Sequence, residues 1–488
     1  MNVRAVAVLA TLAGAVAAVA AAASAGSSAH VLRVGTWHGK KGTYTSIAAA
    51  VQAAKPGDWI LVGPGDYREQ PHQRDGVRIT TPNLHIRGMS RSGVIVDGTR
   101  HGAPEPCAPE ARWQNLGPRG NGRNGIVTDA DHVSVENLTV CNFVGGRHSQ
   151  QIAVGGAFRG SFLTVTSTFA SRSAPALYGI SVSHAPGPIR ITDSYASNMA
   201  DSAFHIGGCA DCNAVFDRDT AEHSVIAFTA IDAGGRLAVE RSVFRDNTAG
   251  IDLASEEDDS SPPPQDGTCP GGPPHCTFVR DDLVEDNNDP NVPGGQGGVV
   301  RFIGAGILVA GGRNDAIVHD TVRHQGAYGI VITPYPWLGR PDAPSAHCQG
   351  GWRGTVSGLP LCFFDASGNI VSGNALEDNG SFGNLTNVNF ADASAHGDSG
   401  FFGPIGAQIA CATEAFGSCD GTVRPVVAEL EALGRALGIR THIPISRARY
   451  PVLTRMTAPA TAAQPSMPDP CVGVPANSWC PGSTSRAS

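Results

Sequence analysis

Lysine is nearly missing from this chain: Lys40, Lys41 and Lys55 are the only three, all near the start. Cationic chemistry farther along must come from arginine or histidine. Charge of either sign is sparse, at 16% of residues, and the net charge of −8 argues against a nucleic-acid partner. Aromatic residues make up 6%. Beyond Ala23 no segment is apolar enough to cross a membrane. Glycine and proline are abundant, at 61 and 34 residues, as expected for a turn-rich chain of many short elements and not for a helical one.

The start reads as a secretory signal over residues 1–25. Met1-Asn2-Val3-Arg4 is positive, Ala5 to Ala23 is apolar, and Ala23-Ser24-Ala25 is a small-x-small cleavage site. An extracellular protein, with no membrane contact after signal removal, is therefore expected. The 12 cysteines then suggest disulfides. Cys209/Cys212, Cys269/Cys276, Cys348/Cys362, Cys411/Cys419 and Cys471/Cys480 form local pairs, and Cys107 with Cys141 remain to close a larger loop. Zinc at Cys209–Cys212 would need a second ligand pair, and none sits at finger spacing.

The organising signal is a period of about 23 to 25 residues, the length of one β-helix coil. A first strand column reads small–apolar–x–apolar in Gly179-Ile180-Ser181-Val182, Ala203-Phe204-His205-Ile206, Ala227-Phe228-Thr229-Ala230, Gly250-Ile251-Asp252-Leu253, Gly306-Ile307-Leu308-Val309 and Gly329-Ile330-Val331-Ile332. A second column ends on an apolar residue and turns on Asp, Asn or Arg, as in Val135-Glu136-Asn137, Val239-Glu240-Arg241 and Val279-Arg280-Asp281. Two strands per coil are expected. Ser46 caps a short apolar helix over Ile47–Ala54, and Lys55-Pro56-Gly57-Asp58 ends it before the strand Trp59-Ile60-Leu61-Val62 and Gly65-Asp66-Tyr67.

The passage from Ser46 to Tyr67, with the strand pairs after it, resembles the pectin-lyase-like superfamily. The resemblance implies an all-β fold, a single-stranded right-handed parallel β-helix over residues 30–400 with an N-terminal capping helix. It also implies a secreted protein that meets polysaccharide, often acidic polysaccharide. Loops 254–276 and 333–362 are inserted at the same turn. Residues 401–455 read as a C-terminal cap with an amphipathic helix over 422–439, and 456–488 as a Pro/Ala/Ser/Thr-rich tail expected to be mobile. Hydrolase motifs of the superfamily are not kept: Asn247-Thr248-Ala249-Gly250 has Ala249 where an acid belongs. The Asp-Pro-His of alginate-type epimerases is missing too, and no lysine stands in the repeats to act as a lyase base.

Stacked coils bring equal positions of successive periods about 4.8 Å apart. His205 and Asp252 then lie two rungs apart with Thr229 between them, suited to a base and its partner or to two solvated side chains. Glu240, Arg280 and His319 are read on consecutive rungs, where Arg280 would neutralise a substrate carboxylate and His319 take a proton, or where the three would form a plain ion ladder. Asp193 and Asp217 are read as turn residues before paired glycosidase carboxylates. Tyr335 and Trp337 in the second insertion would stack on sugars or pack the loop onto the coil. Glu256, Glu257, Asp258 and Asp259 would hold calcium or stay solvated. The functional expectation is a secreted, monomeric carbohydrate-active protein that binds acidic polysaccharide or a cell-surface glycan. If catalytic, it is a lyase or uronate epimerase with His205, Asp252, Arg280 and His319 around one groove. The alternative is a non-catalytic extracellular β-helix that binds a surface or matrix.

Overall fold

The computed structural model describes residues 29–392 and 458–482, apart from residues 70–73, 118–121, 147–148, 210, 255–268, 270–274, 294–302, 334, 339–351, 357–358, 365, 367 and 383–386. The chain winds as a right-handed parallel β-helix whose coils lay one strand in each of three parallel sheets. In one coil Ile189–Thr192 belongs to sheet I, Tyr195–Ser197 to sheet II and Ser202–Cys209 to sheet III. Ala214–Asp217 then returns to sheet I beside Ile189–Thr192. Among the described residues, sheets I, II and III hold 11, 10 and 10 strands.

Three strands per coil correct the two that the sequence pattern shows. The missed column is sheet II, whose three-residue strands include Thr139–Cys141, Thr164–Thr166, Thr220–Glu222 and Thr321–Arg323. Each contributes a single central side chain to the hydrophobic core, Val140, Val165, Ala221 and Val322 respectively. One inward residue per strand is too short a run for alternation to show.

Inward residues of the three sheets form one continuous core along the coil axis. Its middle is aromatic: Phe204, Phe216, Phe228 and Phe244 follow one another with ring centroids 6.2, 4.9 and 6.4 Å apart. At the start, helix α1 (Ile47–Ala53) packs against the strands of the first coil through Ile47, Ala50 and Val51. Ser46 Oγ accepts from Ala49 N at 3.1 Å, and the buried Glu69 carboxylate accepts from Ile47 N at 2.5 Å.

The corners are built by side-chain ladders. Between sheets I and II, Asn137, Asp193, Arg218, Arg241, Asp281 and His319 take left-handed backbone angles. The residue after each turn is buried and links the rungs: Ser194 N donates to Asp219, Asp219 N to Ser242, Ser242 N to Asp282, Asp282 N to Asp320 and Asp320 N to Asn374, over 2.7–3.1 Å. A second ladder between sheets II and III runs through Ser224, Asn247, Asn287, Gln325 and Asn379.

The disulfides Cys107–Cys141, Cys209–Cys212, Cys269–Cys276 and Cys471–Cys480 are present. The remaining two local pairs involve Cys348, Cys411 and Cys419, outside the described residues, as do the signal segment, residues 401–455 with the 422–439 helix, and the acidic run Glu256–Asp259. The insertion after Thr333 contributes an antiparallel three-stranded sheet from Tyr335–Leu338, Trp352–Val356 and Leu359–Phe364. Among the described residues no helix is long and apolar enough to cross a membrane.

Residues 458–482 differ from the mobile tail that their composition suggests. They form a strap running back toward the start of the β-helix. Asn198 donates to the Pro459 carbonyl, Arg91 to the Pro465 carbonyl and Arg87 to the Val472 carbonyl, while Trp479 Nε1 donates to the Lys40 carbonyl at 3.0 Å. Val474, Trp479 and Cys480 are buried against Leu61 and Met89. Proline suits this path, because an extended strap held by its carbonyls gives up no needed N–H.

Candidate functional site

The outward residues of sheet III form two columns. Gln150, Tyr178, Ser202 and Ile226 make the first, and Ser181, His205, Thr229, Asp252, Leu308 and Val331 the second. The second is the ladder expected from the period: His205 pairs in register with Thr229, and Thr229 with Asp252. Ser202–Cys209 and Ile226–Ala233, at 8 residues each, are the longest strands of the described structure. Phe204 and Phe228 fill the core directly beneath, so the rungs that carry polar side chains outside are fixed from inside.

A polar cluster occupies these rungs. Ser202 Oγ donates to Asp201 Oδ1 at 2.8 Å and lies 2.5 Å from Thr229 Oγ1. The Tyr178 hydroxyl also donates to Asp201, and its ring lies 5.0 Å from the His205 imidazole at an interplanar angle of 43°. Gly207 gives the imidazole room, since a Cβ there would sit 3.0 Å from His205 Nε2. Gly208 does the same for His184, whose Nε2 would be 2.8 Å from an added Cβ. The next residues close into the Cys209–Cys212 loop.

Burial drives the two titratable groups at the centre in opposite chemical senses. It pushes the His205 imidazole down to about 4, so the ring is neutral at pH 7. It raises Asp201 above the ordinary carboxylate range, against the hydrogen bonds from Ser202 and Tyr178 that lower it. His205 Nδ1 is buried and has no hydrogen-bond partner among the described residues. A neutral imidazole is an available proton acceptor, and Tyr178 links it to a carboxyl raised above its ordinary range, a combination of the kind acid–base chemistry uses.

The other expected site residues lie elsewhere. Arg280 is on the outer face of sheet I, where its Nε donates to Glu240 Oε2 at 2.7 Å across one rung. His319 is not on the rung after Arg280. Val318 is, and His319 takes the left-handed corner position between sheets I and II. Asp217 is likewise at the end of its strand, in register with Thr192 and Glu240, while Asp193 is the corner residue, and Arg218 pairs with both carboxylates. The expected quartet His205, Asp252, Arg280 and His319 is thus divided between two faces and a corner. A two-strand coil has two faces to share among its outward residues, and a three-sheet coil has three.

Comparison with protein-family models and with curated sequences finds no match. Solved structures with similar coil stacks include the A-module of a mannuronan C-5 epimerase from Azotobacter vinelandii, at 12% identity and a TM-score of 0.41, over 70% of this chain and 85% of that one. An alginate lyase from Paenibacillus sp. is 13% identical with a TM-score of 0.35, over 74% and 99%. A pectin methylesterase from Erwinia chrysanthemi is 13% identical with a TM-score of 0.33, over 76% and 96%. The three-sheet architecture itself rests on the strand register above.

Tyr178, Asp201 and Ser202 are site residues that the sequence pattern left out. The signal for Tyr178 and Ser202 was present: Tyr178, Ser202 and Ile226 recur at the strand period, one position ahead of the small residue that opens each repeat. The strands Tyr335–Leu338 and Leu359–Phe364 pair with each other, away from the coil sheets in the strand order. Among the described residues the one grouping of three metal-type ligands is Asp97, Cys107 and Cys141, and there the two sulfurs are already joined as a disulfide.

Proposed function

We propose that the outer face of sheet III binds an acidic polysaccharide along the coil axis and that His205 removes the proton next to a substrate carboxylate. The observation that carries this reading is the grouping of a neutral His205, its ring 5.0 Å from that of Tyr178, with the Asp201 carboxyl that Tyr178 and Ser202 hydrogen-bond and that desolvation raises above the ordinary carboxylate range. Nε2 of His205 would accept the proton from the sugar carbon, since Nδ1 is buried. Thr229 and, on turning from Asp201, the Ser202 and Tyr178 hydroxyls would donate to the substrate carboxylate, whose negative charge grows as the proton leaves. Asp252, two rungs on, would supply the proton for a leaving oxygen or for return to the sugar carbon. Expulsion of that oxygen with formation of a C=C bond makes a lyase, and return of a proton to the other face makes an epimerase. The saccharide partner follows from the resemblance of residues 46–67 and the coil repeat to the pectin-lyase-like superfamily, and export follows from the signal segment and the disulfides.

The test is incubation with pectate, alginate and other uronate polymers while following the ultraviolet absorbance of a new C=C bond. A rise that disappears in His205→Ala supports the lyase. Polymer binding without either new absorbance or inversion at the sugar ring would make the chain a passive glycan-binding rod.

A further inference from the structure

A second, differently built cleft lies on sheet I, beside the strap. It has a volume of about 560 Å³ and is lined by Trp59, His85, Ser134, Arg159, Arg190 and Val472, among others. Trp59, His85, Ser134, Arg159 and Arg190 are one outward column, in register rung by rung. Two arginines directly across adjacent rungs repel each other unless something negative lies between or above them.

The neighbouring arginines all have carboxylates: Arg87 holds Glu136, Arg218 holds Asp193, Arg241 holds Asp217 and Arg280 holds Glu240. Arg190 makes no ion pair with any described residue. Arg159 reaches Glu136 at 3.4 Å, but that carboxylate already takes two shorter hydrogen bonds from Arg87, at 2.6 and 2.8 Å. The cleft therefore keeps an uncompensated positive charge on side chains that point into it, with Arg159 66% exposed. Its rim is apolar in part: Val472, on the strap, is 59% exposed, and Pro188 is exposed as well. Paired guanidiniums with an apolar rim fit a sugar ring bearing a carboxylate or sulfate, and the volume falls in the range of small-ligand sites.

We propose that this cleft is a second glycan site, holding an acidic sugar residue with Arg159 and Arg190 on its anionic group. The choice of a sugar as carrier of the charge rests on the polysaccharide reading above, whereas the anion site stands on the two arginines. A chain bound here would be held by the strap side of the rod while sheet III acts on another stretch.

The experiment is calorimetric titration of the full chain, its Arg159→Gln/Arg190→Gln double variant and His205→Ala. The probes are trigalacturonate, a sulfated disaccharide, maltotriose and inorganic sulfate. Both arginines are surface side chains, so an unchanged thermal midpoint verifies the fold. The expected result is that one equivalent of acidic-sugar binding disappears in the double variant and persists in His205→Ala, with maltotriose not bound. Unchanged stoichiometry and affinity in the double variant overturn the proposal. Binding of sulfate alone, without either acidic sugar, overturns its glycan half. Loss of turnover in His205→Ala, or its absence, bears only on sheet III, so the two readings fail separately.

Discussion

Arg280 Nε lies 2.7 Å from Glu240 Oε2 on the neighbouring rung of sheet I, and this pair faces away from the sheet that carries His205. Arg280 is 45% exposed at its side chain, and Glu240 keeps a second partner in Arg241 at 2.8 Å. Arg280→Ala is therefore expected to cost about 0.5–1 kcal/mol, as a surface pair does, and to leave any turnover of glycan unchanged. Denaturant melts and initial rates check it.

His205→Ala is expected to lower turnover by about 10²–10⁴-fold, the usual contribution of a general base, with the fold retained. Because burial holds the imidazole down at about 4, the acid limb of the wild-type rate should fall through about that pH, and the rate should stay level above it as far as this group is concerned. The same shift acts on stability. An unfolded histidine titrates near 6.5. As pH falls from about 6.5 to about 4 the unfolded chain takes up a proton that the folded chain does not, so stability is lost over that window. Melts of His205→Ala should show a smaller loss there.

Two buried aspartates carry the opposite sign. Burial pushes Asp320, in the ladder between sheets I and II, and Asp315, whose N–H donates to Asn369 before the sheet I strand, up to about 7. Between about 4 and 7 the unfolded chain releases a proton that the folded chain keeps, so these groups reduce stability as pH rises through that window, by up to about 1.4 kcal/mol per unit for each. Asp320→Asn keeps an oxygen for the Asp282 N–H, now accepted at 2.9 Å, and adds an amide such as Asn374 uses to reach the Ile317 carbonyl. The variant should melt higher than wild type at pH 8 and equally at pH 4.

Trp479→Ala is expected to release the end of the strap. Trp479 is buried and its indole N–H donates to the Lys40 carbonyl, so the substitution removes both packing and a hydrogen bond, about 3–5 kcal/mol as a core tryptophan and less where the strap alone comes free. Faster hydrogen exchange over residues 458–482, with the coil sheets still protected, is the outcome to look for.

How far the sequence carried the reading follows from strand length and from side-chain direction. The His205–Thr229–Asp252 column was legible because sheet III strands are long, with small residues at one fixed phase. Sheet II was not, since Val140 or Val322 alone on three residues makes no pattern. His319 fell beside Arg280 for a separate reason: Ala316–Val318 is a residue shorter than Thr277–Arg280, and aligning Val318 with Val279 instead of Arg280 slips the register by one. Asp201 has no periodic signature at all, since it stands in a turn and enters the cluster only through Ser202 and Tyr178. The strap was hidden by its composition. Proline, alanine and serine describe a segment without secondary structure, and whether such a segment is held depends on partners such as Arg87 and Arg91, far away in sequence.

The most direct test of the sheet III site is deuterium uptake at the sugar carbon next to the carboxylate, followed by NMR on uronate polymers in heavy water. Proton removal by His205 should make wild-type protein either replace the hydrogen on this carbon with deuterium, as an epimerase does, or lose it with formation of the C=C bond, as a lyase does, and His205→Ala protein should do neither. Equal loss of this hydrogen with both proteins, or its full retention with the wild type on every uronate polymer, would contradict it.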